Sequence, residues 1–425
     1  MLIAIYVGLV MILFLMGFAV PYALGISAVV GMIYSGSFGF VQMQTMVTKM
    51  ATGVNSFTLL AIPLFLLSGK LMNVGSITER IFKFCNALVG WIPGGLGQVN
   101  ILASVVFAGM SGSAVADAAG LGTIEIRAMR NEGFDAPFSA GITAASSTIG
   151  PIIPPSIPLI VFGCVGSVSI SKLLVGGIIP GIVCAICLGI MVAIISNRRH
   201  YPRRGFPTVS ELFKLACSSF LALLTPVILI GGILTGIFTA TEAAAVASAY
   251  ALCLTVFIYR ELGLKDIVRV VREVCVETAS IMLVVSASTL NGYMITKCQI
   301  PQMVLDLFLS ISDNKAVFLL LINLFLLFVG CFMETNAAIM ILTPILLPAA
   351  VTFGVDPVHF GLIMVFNLMI GLLTPPVGMC LYATARVANI SFEETVKGTA
   401  PFYIPLIVTL IAITAFPWLS TCLGG

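Results

Sequence analysis

The segment Ser146-Ser-Thr-Ile-Gly-Pro-Ile-Ile-Pro-Pro-Ser156 interrupts an apolar run, 136–166, that is otherwise long enough to cross ~30 Å of hydrocarbon. Prolines at 151, 154 and 155 remove backbone donors and unwind a helix at mid-depth. The carbonyls they free are tolerated only where protein or a cavity covers them. A second run, 358–388, is broken in the same way by Gly371-Leu-Leu-Thr-Pro-Pro-Val-Gly378. At an offset of 221 residues Gly109/Gly330, Gly133/Gly354, Asp135/Asp356, Gly150/Gly371, Pro154/Pro375, Pro155/Pro376, Gly177/Gly398 and Pro180/Pro401 coincide without a gap. An internal duplication with broken helices points to a secondary transporter whose site lies at the repeat interface.

The composition around these breaks belongs to lipid. The chain of 425 residues is 60% hydrophobic and 9% charged, with a mean hydropathy of +1.16, whereas a soluble domain carries roughly 25% charged residues. Its net charge of +3 is too small and too scattered for a nucleic-acid partner. Most of the 11 cysteines sit inside apolar runs, where Cys packs as a small hydrophobe. Cys184-Ala-Ile-Cys187 has redox spacing but no flanking base, so no disulfide or metal role follows.

Met1 opens directly onto an apolar run to Val20, without a basic n-region or a cleavage site, so it reads as a retained first span. Further runs fall near 22–40, 55–73, 172–196, 217–236, 240–259, 275–296 and 400–421. With the two interrupted runs these make ten expected crossings. Two stretches, 97–131 and 315–353, are apolar on both arms and broken by small and polar residues; each reads as a re-entrant hairpin. The expected fold is an all-α polytopic membrane protein with two inverted repeats, 1–216 and 217–425, each of five spans plus one hairpin.

Positive charge sets the expected sidedness. With the N-terminus outside and hairpins that do not cross, only Lys49, Lys172, Lys297 and Lys315 fall in outer segments, and the other sixteen of the 20 Lys and Arg fall inside. Both termini then face out, the loop 197–216 faces in and the segment 297–315 faces out. Arg198, Arg199, Arg203 and Arg204 serve as a topology anchor.

The hairpin tips read Ala108-Gly-Met-Ser-Gly-Ser-Ala-Val-Ala-Asp117 and Gly330-Cys-Phe-Met-Glu-Thr-Asn336. Freed carbonyls with Ser, Thr and Asn oxygens suit a small hard cation, and half-helix N-termini present N–H groups to an anion. Small residues and prolines also serve close helix packing alone. Asp117 and Glu334 are acids at membrane depth, where ionisable groups are expensive; each could instead cap or neutralise a helix end. Glu242 reads as an N-terminal helix acid in a turn. The chain has no His-Glu-x-x-His and no phosphate-binding Gly-x-x-x-x-Gly-Lys-[Ser/Thr], so enzymatic hydrolysis and ATP coupling have no residues to run on.

Gly109 to Asp117, Ser146 to Ser156, Gly236-Ile-Phe-Thr-Ala-Thr-Glu-Ala-Ala-Ala245 and Gly371 to Gly378 together resemble the large membrane subunit of tripartite ATP-independent periplasmic (TRAP) transporters, the DctM type, over essentially the whole chain. The resemblance implies an elevator-type importer of the ion-transporter-superfamily kind in the bacterial inner membrane, with both termini periplasmic. It would be driven by two or more Na+ ions. Its partners would be a periplasmic solute-binding protein and a small four-helix membrane subunit of the DctQ type, which is expected as a separate chain because Met1 opens the first span. A small carboxylated solute is implied, sialic acid ahead of a C4-dicarboxylate.

Joined to the residues, the resemblance places one Na+ at Ser111, Ser113, Ser147 and Gly150, and a second at Thr335, Asn336, Gly371 and Thr374. The solute carboxylate is expected near Ser111, Ser113 and Asp117, flanked by Pro154 and Pro375. The moving part would be about 97–166 and 315–388; the remainder, with oblique segments near 76–90 and 262–273, would be the scaffold. A stand-alone sodium–dicarboxylate cotransporter needs the same repeats and hairpins and is the alternative.

Overall fold

The computed structural model describes residues 8–423 except 11, 14, 15, 35, 37, 38, 74–76 and 204, and covers 109–111 by backbone alone. Much of the first expected span lies outside these residues. Every regular element among those described is helical. In chain order the main helices are α1 Val20–Tyr34, α2 Phe40–Gly53, α3 Ala61–Asn73, α4 Ile77–Val89, α5 Leu96–Ser111, α6 Ala114–Ala119, α7 Leu121–Asn131, α8 Ala136–Ser147, α9 Ile157–Gly166, α10 Ile170–Gly176 and α11 Ile178–Arg199. Then follow α12 Val209–Leu234, α13 Ala240–Cys253, α14 Leu264–Lys297, α15 Ile300–Ile311, α16 Lys315–Gly330, α17 Thr335–Thr352, α18 Pro357–Gly371, α19 Met379–Ala388, α20 Phe392–Thr399 and α21 Tyr403–Ala415.

Among the described residues five helices are long and apolar enough to cross a membrane as single pieces, or up to seven if each of two bent pairs is one span, against ten expected crossings of which the first lies largely outside those residues. The difference has a physical cause, since a continuous apolar run need not be one helix. The run 136–166 divides into α8 and α9, and 358–388 into α18 and α19. Residues 57–73 instead pair with α2 across a 47° bend. The 34-residue α14 carries Ser, Thr and Asn through its apolar half.

The segment 297–315 contains α15, which Gln299 launches from a left-handed turn (φ 54°) with a proline in the first turn. The stretch 262–273 is no separate oblique segment but the start of α14, whereas 76–90 does form its own helix, α4. At the 221-residue offset the counterpart of α4 is α15.

Helix starts keep that offset closely. Ala114 pairs with Thr335 and Ala136 with Pro357, while Ile157 with Met379 and Ile170 with Phe392 are displaced by one residue. The local reasons repeat as well. Asp135 and Asp356 both occupy the N-cap position with proline in the first turn, where an acid and a missing N–H are favoured.

The two halves interlock rather than stand side by side. α8 packs on α19 and α20, and α9 packs on α17, so each broken span is covered by the other half. Gly141 on α8 and Gly398 on α20 bring the two backbones into contact; a Cβ on either would overlap the opposite chain. Around this pair α1, α2 and α3 lie along α14, and α13 lies along α3.

Candidate functional site

At the first tip α5 ends and Gly112 turns the chain in the left-handed region (φ 62°). A Cβ there would come within 2.6 Å of the Pro155 carbonyl oxygen, so only glycine lets the tip rest on the backbone of the first break. Ser113 then caps α6, its Oγ accepting from the Ala116 N–H at 3.5 Å. The side chain of Ser111 lies outside the described residues. One turn into α6, Asp117 is 4% exposed, and its Oδ2 lies against Gly150 so closely that a Cβ on the glycine would overlap it. Cys380 of the other half stands beside both Asp117 and Ser147.

The first break is held by its own hydroxyls. Ser147 donates to the Ala144 carbonyl and Thr148 to that of Ala145, each at 2.7 Å. Ser156 donates to the Pro151 carbonyl while accepting from the Leu159 N–H at 3.2 Å, which closes the break and starts α9. The Pro154–Pro155 and Pro375–Pro376 bonds are both cis.

At the second tip Gly330 and Gly371 are in backbone contact, so that a Cβ on Gly371 would overlap Gly330. The tip and break that the offset pairs with the first set therefore also meet. Glu334 caps α17: Oε2 accepts from the Ala337 N–H at 3.0 Å and Oε1 from the Asn336 side-chain amide at 2.9 Å. Thr374 donates to the Ile370 carbonyl at 2.9 Å, and Tyr403 donates to that of Leu373.

Thr335 Oγ1 and Asn336 Oδ1 are buried and, among the described residues, have no hydrogen-bond partner. Orphaned buried oxygens cost about 1–3 kcal/mol each, and two on successive residues next to the Glu334 carboxylate are hard oxygen donors of the kind a small cation takes. At the first tip and break, Asp117, Ser147 and Gly150 are brought together. Ser147 Oγ donates to the Ala144 carbonyl and also hydrogen-bonds with the Cys380 thiol. Those oxygens fit the same kind of ion.

The two tips open onto one cavity of about 720 Å³, where Ser113 and Ala116 of the first meet Glu334, Thr335 and Asn336 of the second. Pro151 and Pro158 contribute to its wall; Pro154 and Pro375 do not. Helices α3 and α14 supply another wall, on which Lys70 Nζ lies 2.6 Å from Glu277 Oε1 and 3.2 Å from Glu273 Oε2.

Several polar residues that sequence reasoning passed over lie just behind the site. Glu125 on α7 is 1% exposed. Asn100 donates to its Oε2 at 2.6 Å and to Thr143 Oγ1 at 2.7 Å, and accepts from Ser146 Oγ at 2.6 Å. In the other half Asn367, the offset partner of Ser146, donates to Asn323 Oδ1 at 2.7 Å. The signal for Glu125 was an acid inside a hairpin arm, the same signal that marked Asp117. Glu242 is an exposed capping-box acid paired with Thr239, as its place in a turn suggested.

The family model of the tripartite ATP-independent periplasmic transporter, DctM component, matches residues 7–419. The chain is 49% identical over 369 residues to the sialic acid TRAP transporter large permease protein SiaM of Vibrio cholerae, covering 87% of this chain and 86% of that one. It is 38% identical to the C4-dicarboxylate TRAP transporter large permease protein DctM of Pseudomonas aeruginosa, over 86% of each chain. In fold it is similar to the YdaH transporter of Alcanivorax borkumensis, with a TM-score of 0.58 at 12% identity over 91% of both chains.

Proposed function

The chain belongs to the DctM component family of tripartite ATP-independent periplasmic transporters, and from that premise we propose that it is the large membrane subunit of a sodium-driven importer of a carboxylated solute, with sialic acid the favoured substrate. The observation that carries this reading is convergence. Ser113 and Thr335, at the tips of two hairpins from different halves of the chain, line one cavity. Identity with the Vibrio cholerae sialic acid permease is higher than with the Pseudomonas aeruginosa C4-dicarboxylate permease, 49% against 38%, which supports sialic acid.

In this reading Ser111, Ser113, Ser147 and Gly150 hold one Na+, with the Asp117 carboxylate beside that shell and near the solute, and Thr335, Asn336, Gly371 and Thr374 hold the other. The bound ions supply positive charge beside the cavity, where the solute carboxylate comes to rest near the tips. Moving one elementary charge through 100 mV releases ~2.3 kcal/mol, so sodium in excess of the solute charge makes uptake concentrative. The segments 97–166 and 315–388 move as one body, because α8–α19 and α9–α17 packing ties the halves together, and α3 and α14 stay with the scaffold. Loading comes from a periplasmic solute-binding protein, with a four-helix subunit completing the assembly in the inner membrane.

The test is reconstitution. Purified protein with its small subunit in proteoliposomes, given an inward sodium gradient and sialic acid on a candidate binding protein, should accumulate sialic acid. Accumulation that persists without sodium, or equally without the binding protein, rejects the corresponding part of the reading.

A further inference from the structure

A second cavity, about 1070 Å³, lies farther along the same two scaffold elements. On α14 the residues that line the tip cavity include Glu273, Glu277 and Ser280, and those that line the second include Ser288, Thr289 and Thr296. Apart from the adjacent Ser288 and Thr289, the successive spacings are 4, 3, 8 and 7, each close to a whole number of helical turns, so these residues share one face of a single helix. From Glu277 to Thr289 is ~18 Å along the axis at ~1.5 Å per residue. On the first scaffold element Lys70 faces the tip cavity and Thr58 faces the second.

The two cavities differ in charge. The tip cavity places three carboxylates, Glu273, Glu277 and Glu334, against Lys70 and Arg269, and Lys70 is already held by two of the three. Among the described residues lining the second cavity there is one ionisable cation, Lys49, and no carboxylate, while hydroxyls come from α14, from Thr58 and from Thr239 and Thr241. An anion is therefore better matched by the walls of the second cavity than by the acidic α14 wall of the first, where the solute carboxylate depends on the sodium ions bound at the tips. Lys49 is one of the four lysines that the charge distribution places outside.

We propose that the second cavity is an outer receiving site for a small polyhydroxylated carboxylate, in which Lys49 pairs with the carboxylate and the hydroxyls of Thr289, Tyr293 and Thr296 bond its hydroxyl groups before the hairpin tips take it. The inference rests on the transport reading above and adds a station to it. The face of α14 then offers the solute hydroxyls on entry and carboxylates on exit, so that release follows from the wall chemistry.

The test is sodium-driven uptake of sialic acid by the reconstituted assembly at low ionic strength. K49Q should raise the half-saturating concentration about two- to five-fold, the range of a solvent-exposed ion pair, with little change in maximal rate; K49R should restore it, and added salt should shrink the difference. In a background lacking native cysteines, Thr296→Cys should react with an impermeant thiol reagent added outside, and sialic acid should slow that reaction without sodium. Unchanged half-saturation in K49Q, or labelling of Thr296→Cys that is unprotected or occurs only from inside while uptake is intact, overturns the receiving site. Failure of the wild-type assembly to carry sialic acid overturns the transport reading instead.

Discussion

The carboxylate of Asp117 rests against the Cα of Gly150, leaving no room for even a methyl group between the first hairpin tip and the first helix break. The pair joins an acid at membrane depth to the backbone that proline has unwound, which is where a cation shell can form without long side chains.

Gly150→Ala therefore displaces Asp117 without touching any charge. Initial uptake should fall at least ten-fold at unchanged membrane abundance, and Asp117→Asn should fall similarly. Asp135→Asn is the control: Asp135 is half-exposed and pairs with Arg199 at 2.9 Å, a surface contact worth ~0.2–1 kcal/mol, so most activity should remain. Equal rates for Gly150→Ala and wild type would separate Asp117 from the transport site.

Thr335 can be probed by shape and polarity separately. Thr335→Val keeps the volume and removes the oxygen, and the sodium concentration for half-maximal uptake should rise at least five-fold. Thr335→Ser keeps the oxygen and should stay within two-fold of wild type. Sodium activation curves that coincide for all three proteins would remove Thr335 from the ion shell.

Glu125 is a packing and hydrogen-bonding partner as well as an acid. Glu125→Ala strands the Asn100 amide and opens a void, which should cost about 1–3 kcal/mol for the unsatisfied group alone and lower the thermal midpoint of the detergent-solubilised protein by several degrees. Glu125→Gln retains the acceptor and should recover most of that loss. Identical melting of both variants would mean that the network does not support the hairpin.

Sidedness can be read with single cysteines in a background lacking native ones. A cysteine at 201 should react only from the cytoplasmic face and one at 313 only from the outer face, from the sixteen-to-four division of Lys and Arg. Outer labelling at 201 would invert the scheme.

The parts of this fold that were legible in the sequence are those written in proline and glycine. The breaks at 151–155 and 375–376 and the tip glycine at 112 leave a local mark, because each residue changes what the backbone can do. What stayed hidden depends on contacts between distant residues. Nothing local in Asn100 or Glu125 announces that they meet, and nothing local in Gly398 announces α8. The helix α15 has no mark of its own in the sequence because it follows a 34-residue helix with no long turn between them, and a twelve-residue helix is too short to read as a crossing.

The covering of α8 by α19 also dictates an order of events during synthesis. After Ser147 the ribosome must add about 240 residues before α19 is complete, which takes some tens of seconds at ~5–20 residues per second. Throughout that interval the face of α8 destined for α19 has only lipid, or an insertion factor, against it. Nascent chains stalled just before Met379 should therefore be the form most readily captured by membrane chaperones and most readily degraded, and chains released past Ala388 should escape both.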